Sequence, residues 1–244
     1  FKDNSGKTFR MGGSYYKSGG GQWPVNHTKV AGQKSDDGFM WTSGFSVRMN
    51  PDGTNAEIIG HGNRNSYEHC TTSLGDLFQN DNDDPPACRV SYVLEYGCAG
   101  YFSRDGKRNW RQEKRPGQDH GRAHWRQDDP GTFDAGDIYG GGSPTGIVFY
   151  ENGALGKKWD GLLLSAEAGK NVIFGYQPEV KGATWKLDRS DFCTTNPEGQ
   201  FQGSDFIWRN QKKGRHKNWK GKEVPTSFRP SDVAVGPDGA ISIT

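Results

Sequence analysis

The 244 residues carry 31 Lys and Arg against 29 Asp and Glu, and the formal net charge of +2 excludes a general pull toward nucleic acid or acidic membranes. Only 31% of residues are hydrophobic, yet 8 Trp, 9 Tyr, 13 Phe and 36 Gly exclude a disordered chain and point to an aromatic-filled fold with many tight turns. No apolar run reaches the roughly 18 residues of a membrane-crossing helix, the opening FKDNSGKTFR has no apolar signal core, and the Phe start implies a processed or trimmed chain.

Residues 1–43, rich in Gly, Ser and Lys, read as a long loop insertion before the first strand. The stretch FSVRMNPDGTNAEII (45–59) then places a Pro-Asp-Gly turn between two strands. In GHGNRNSYEHC (60–70), Gly60 and Gly62 permit a tight backbone path and Asn63 and Asn65 tolerate turn geometry. Arg64 is the unusual member. Its planar fork either grips a ligand carboxylate bidentately or pairs with a neighbouring carboxylate.

RNSYEHC, GDLFQND and CRVSYVLEYG follow as a unit of sheet. Within it QNDNDDPP (79–86) gathers Asp81, Asp83 and Asp84, hard oxygen donors that suit Ca²⁺ but lack the spacing of an EF-hand loop. The alternative is an Asp-rich solvated turn.

Residues 103–143 form a second long irregular region. Eight Lys or Arg and two Trp, Trp110 and Trp125, lie between Arg104 and Arg126, but Asp105, Glu113, Asp119, Asp128 and Asp129 cancel most of the field, against nucleic-acid binding. His120 and His124 would share a helix face and ligate a metal there; Pro116-Gly117 before them and Asp129-Pro130-Gly131 after them argue against a stable helix. GDIYGGGSPTG (136–146) lacks GK[ST] and leads into a strand, which excludes a phosphate loop.

From residue 144, SPTGIVFY, GLLLSAEAG, NVIFGYQP and GATWKLD read as four strands with short connections, the size of one propeller blade. RPSDVAVGPDGAISIT supplies the first two strands of a further blade. The four cysteines, Cys70, Cys88, Cys98 and Cys193, include no CxxC pair, which excludes a zinc ribbon and covalent haem. They suit either a disulfide in an oxidising compartment or buried thiols. The fold expected is all-β: one partial β-propeller domain over residues 1–244, about three blades of four antiparallel strands, half of a six-bladed ring.

Together SDDGFMWTSGFSVRMNPDG, GHGNRNSYE, GDLFQNDNDD, RPGQDHGRAHW, GLLLSAEAGKNVIFGY and FRPSDVAVGPDGA resemble the quinoprotein sugar dehydrogenases, the propeller superfamily of soluble glucose dehydrogenase and sorbosone dehydrogenase, and above all its secreted or membrane-associated dehydrogenase propellers. The resemblance runs from about Thr8 to Thr244 and implies oxidation of a sugar or polyol hydroxyl by hydride transfer to pyrroloquinoline quinone held over Ca²⁺, in the periplasm or outside the cell. Gly60, His61, Arg64 and Asn65 match a family turn whose Arg and Asn bind the quinone, with Gly62 and Asn63 as two extra residues. The family's calcium-holding turn falls on Asp83 and Asp84, where its Gly-Pro has become Asp-Asp. A quinone-binding lysine falls at Gly169 or Lys170, and an arginine before the last blade on Arg229.

The family's catalytic His would precede Phe1, so no residue matches it, and His120 and His124 are the candidates to stand in for it. Missing blades or another chain would have to complete the ring. Two further readings are a non-catalytic binding or assembly module and a glycan binder using Trp110 and Trp125.

Overall fold

The structure is a computed structural model that describes residues 1–10, 32–83, 87–106, 114–195, 207–210, 215–218, 223–224 and 228–244. In chain order the strands begin with β1 (Gly44–Arg48), β2 (Glu57–Asn63), β3 (Ser66–Thr71), β4 (Leu77–Asp81), β5 (Cys88–Tyr92) and β6 (Gly97–Cys98). The helix α1 (His120–His124) precedes β7 (Asp137–Gly140), β8 (Pro144–Tyr150), β9 (Leu162–Glu167) and β10 (Val172–Tyr176). Then come β11 (Glu179–Lys181), β12 (Thr184–Lys186), β13 (Arg189–Thr194), β14 (Ile207–Asn210), β15 (Arg215–Asn218), β16 (Glu223–Val224), β17 (Val233–Val235) and β18 (Ile241–Ile243). The chain is all-β in character, as its alternating apolar runs dictate.

Two compact units divide it. The first comprises residues 1–64 and 93–134, the second 65–92 and 135–244, so one boundary falls between Arg64 and Asn65.

The first unit holds the sheet β1-β2-β6. Phe9, Trp41, Ala56 and Ile58 are its buried core, with Phe45 and Val47 packed against them. The ends of the 1–43 segment therefore serve this core: Lys2 bridges to Thr8, and Asp36 N–H donates to the Thr8 carbonyl at 2.9 Å. A second aromatic group surrounds Tyr101, whose ring lies 5.0 Å from Phe102 and 5.9 Å from Trp125.

The second unit contains two four-stranded antiparallel sheets, β3-β4-β5-β7 and β13-β10-β9-β8, and the pair β17-β18. Period-2 alternation lets the central strands feed two cores at once. Leu163 of β9 with Val172, Phe174 and Tyr176 of β10 packs toward Phe78, Val90 and Tyr139. Leu162, Leu164, Ala166 and Ile173, one residue out of phase, pack toward Tyr150 and Val233. A sheet buried on both faces between two neighbours is a propeller blade, and continuous apolar runs such as LLLSAE are what that burial requires. Side chains also tie β3 to β8: Ile147 N–H donates to Glu68 Oε2 at 2.9 Å, and Ser73 Oγ–H to Glu151 Oε1 at 2.9 Å.

Both blades differ from expectation in their fourth strand. GATWKLD supplies β12, which pairs with β11 as a separate hairpin, while the outer strand is β13, RSDFCT. The outer strand of the preceding blade is β7, drawn from the Gly-rich GDIYGGG after the whole 93–134 excursion. The pair β17-β18 opens the next blade as expected. All four cysteines are thiols, not disulfides.

Candidate functional site

The antiparallel order places the starts of β3, β8 and β17 and the turns β4–β5 and β9–β10 at one end of the second unit. A continuous set of hydrogen bonds links them. Asn65 N–H donates to Asp81 Oδ1 at 2.7 Å, and the Asn65 carbonyl accepts from Asn82 N–H at 3.2 Å. Asn80 Nδ2–H donates to the carbonyl of Thr145 at 2.5 Å, and Thr145 Oγ1–H to that of Pro230 at 2.8 Å. Asn82 Nδ2–H reaches the Gly142 carbonyl at 3.4 Å. Asn65, Asp83, Lys170 and Arg229, separated by up to 164 positions in sequence, thus share this end.

Their exposure differs. Asn65 and Arg229 are exposed and available to a ligand. Asp83 is buried, its carbonyl accepting from Ala87 N–H at 2.9 Å and its N–H donating to Cys88 Sγ at 3.3 Å. Asp81 is likewise buried, 3.9 Å from the buried guanidinium of Arg89, so this acidic run is not a solvated turn where it is described. Asp84 lies outside the described residues. Among the described residues no three His, Cys, Asp or Glu side chains converge as metal ligands.

Lys170 is fully buried in the β9–β10 turn. Its positive charge acts on Glu167, a residue that the sequence reading missed. Glu167 accepts hydrogen bonds from Tyr139 O–H at 2.7 Å, Ser143 N–H at 2.5 Å and Gly169 N–H at 2.8 Å. Burial nonetheless pushes its carboxyl above the usual range, against the pull of those donors and of Lys170. A Cβ at Gly142 would stand 2.5 Å from Glu167 Oε2, so Gly142 is what lets the backbone pass. The only hint in the sequence was that Glu167 stands three residues before the lysine.

Arg64, His120 and His124 belong to the first unit. The Arg64 guanidinium lies 5.8 Å from the Tyr101 ring centroid, a cation–π contact. His120 and His124 do sit on a helix, contrary to the Pro and Gly signals: Asp119 caps α1 by accepting from Arg122 N–H at 3.1 Å, and the two rings are 5.4 Å apart. His124 is buried, and burial with the nearby Arg64 charge lowers its pKa to about 3. A neutral imidazole that weakly basic is a poor proton acceptor near pH 7. Trp125 is fully buried and cannot stack on a glycan; Trp110 lies outside the described residues.

An all-β unit with blades packed face to face and loop residues gathered at one end has the architecture of a β-propeller carrying its functional groups on one rim. The chain has the fold of the sugar dehydrogenase propellers. It is similar to two solved glucose dehydrogenases, each at 15% identity over 99% of this chain and 58% of that one, with TM-scores of 0.52 and 0.51. The PQQ-bound aldose sugar dehydrogenase of Streptomyces coelicolor aligns at 17% identity over 74% of this chain and 50% of that one, with a TM-score of 0.42. The chain therefore spans between 50% and 58% of the length of these proteins. No family model matches it, and no curated protein does.

Proposed function

We propose that this chain contributes the cofactor-binding rim of a propeller dehydrogenase that oxidises a sugar or polyol hydroxyl. The observation that carries the reading is the gathering of Asn65, Lys170 and Arg229 at one end of the second unit, at the positions where the resemblance to quinoprotein dehydrogenases calls for quinone-binding groups. One amide and two cations suit a ligand rich in carboxylates. Arg229, exposed, would pair with a carboxylate directly; Asn65 would hydrogen-bond beside it; Lys170, buried, would supply charge from beneath, sharing its field with Glu167. Arg64, in the first unit, is a quinone-binding candidate by resemblance alone.

When bound, pyrroloquinoline quinone supplies the hydride acceptor and Ca²⁺ its polarisation. Cation binding would fall to Asp83 and Asp84. The proposed location is the periplasm or the cell exterior.

The test is equilibrium binding of pyrroloquinoline quinone, with and without Ca²⁺, to the chain and to the longest protein that contains it, followed by a dye-linked assay over several sugars. Arg229→Gln is expected to weaken quinone binding about tenfold, one lost charge-assisted pair. Failure of both proteins to bind the quinone overturns the dehydrogenase reading. Quinone binding without turnover favours a non-catalytic module, which the low basicity of His124 independently favours.

A further inference from the structure

A cavity of about 730 Å³ opens on the first unit, within the size range of small-molecule sites. Phe39, Trp41 and Tyr96 give it an aromatic wall, and Lys7, Arg104 and His61 line it as well. Two of those rings are open to solvent: Phe39 is 63% exposed and Tyr96 54%. Trp41 is fixed between them and the sheet, 5.5 Å from the Phe39 ring and edge-on to His61 at 5.2 Å.

The polar groups fall into two sets. Both carboxylates of the cavity are already engaged. Asp37 accepts from the Trp41 indole N–H at 2.8 Å and from Phe39 N–H at 2.9 Å, while Glu57 accepts from the Tyr96 hydroxyl and pairs with Arg48 at 2.8 Å. The donors are not so engaged. Neither Lys7 nor Arg104 forms a salt bridge among the described residues; the Lys7 ammonium lies 4.9 Å from the Phe9 ring and its charge reaches Glu57, and the Arg104 charge reaches His61. Thr42 N–H donates to His61 Nδ1 at 3.3 Å, which leaves the ring proton on Nε2 as a donor. Burial, then Arg104, lowers the His61 pKa to about 4, so the ring stays neutral through neutral pH.

Flat apolar faces beside donors without matching acceptors select a ring that bears a negative group. A saccharide needs acceptors as well as donors, and here every carboxylate oxygen already accepts from a protein group. With Glu57 paired to Arg48, Lys7 and Arg104 exceed Asp37 by one charge, which a monoanion balances and a dianion such as a phosphate oversteps. We propose that this cavity binds an aromatic monocarboxylate, its ring against Phe39 and Tyr96 and its carboxylate toward Arg104, Lys7 and His61 Nε2–H. The chemistry stands without the quinone reading, since every group lies in the first unit.

Calorimetric titration of the whole chain with naphthalene-2-carboxylate, 2-naphthamide and glucuronate tests it. The carboxylate is expected to bind saturably, with the amide and the glucuronate each at least about tenfold weaker. Arg104→Gln and Phe39→Ala, both at exposed side chains that the fold does not need, should each weaken the carboxylate about fivefold with unchanged circular dichroism. Equal binding of carboxylate and amide, stronger binding of glucuronate, indifference to both substitutions, or no saturable binding overturns the proposal.

Discussion

At the level of single residues, the buried pair of Glu167 and Lys170 sets the most local demand on the fold. Glu167 satisfies its oxygens with three donors, yet burial still holds its carboxyl above the ordinary range. A raised folded-state value means that the native protein binds the proton more tightly than the unfolded chain, so this group's stability contribution is full at low pH and declines as pH rises. Removing the positive partner raises the value further. Lys170→Met is therefore expected to cost about 3 kcal/mol at pH 8 and clearly less at pH 5, measured by urea unfolding at both. Adding Glu167→Gln should recover much of the loss at pH 8, because an amide leaves no uncompensated charge. An equal cost at both pH values would mean that Lys170 acts through packing alone.

Among elements, the ends of strands decide more than their middles. Gly62 closes β2 at φ 78°, and a Cβ there would lie 2.7 Å from Cys98 Sγ and 3.1 Å from Ala99 N, where β6 leads away from β2. Gly62→Ala is expected to cost about 2 to 4 kcal/mol, combining backbone strain with a collision against backbone, read as a fall in the denaturation midpoint. A change below about 0.5 kcal/mol would show that β6 shifts freely. The same attention to ends explains what the sequence made legible. Inner and central strands such as GLLLSAEAG and NVIFGYQP were recognisable because burial on both faces demands unbroken apolar runs. The outer strands were not: β13 carries exposed Ser190 and Asp191, and β7 has only four residues, flanked by glycines. Nothing local ties β7 to β5, since residues 93–134 of the first unit intervene. The candidate site divided likewise. Asn65, Lys170 and Arg229 were proposed from their motifs, whereas Glu167 sat in an apolar strand with little to mark it.

Over the whole molecule, the two units answer acid in opposite directions. In the first, burial lowers His61 to about 4 and His124 to about 3, so the unfolded chain protonates before the native one as pH falls from about 6.5. Each histidine thus contributes stability that is present above that pH and lost on acidification, on the order of 3 kcal/mol for His61 by pH 4. The carboxyls of Asp3, Asp36, Asp52, Glu57 and Asp128, all held below their ordinary range, add the same sign at lower pH. In the second unit burial raises Asp137, Glu167 and Asp191, which favours the native state in acid, and among the described residues His69, lowered by burial, opposes them. Amide exchange corrected for its intrinsic pH dependence should accordingly show protection of β1 and β2 falling between pH 7 and 4.5 while that of β9 and β10 holds. His61→Gln should flatten the slope in β1 and β2, because an amide cannot take up the proton that the imidazole refuses when folded. Parallel loss of protection in both units would mean that the molecule unfolds as one cooperative body, with the buried histidines setting the acid limit for all of it.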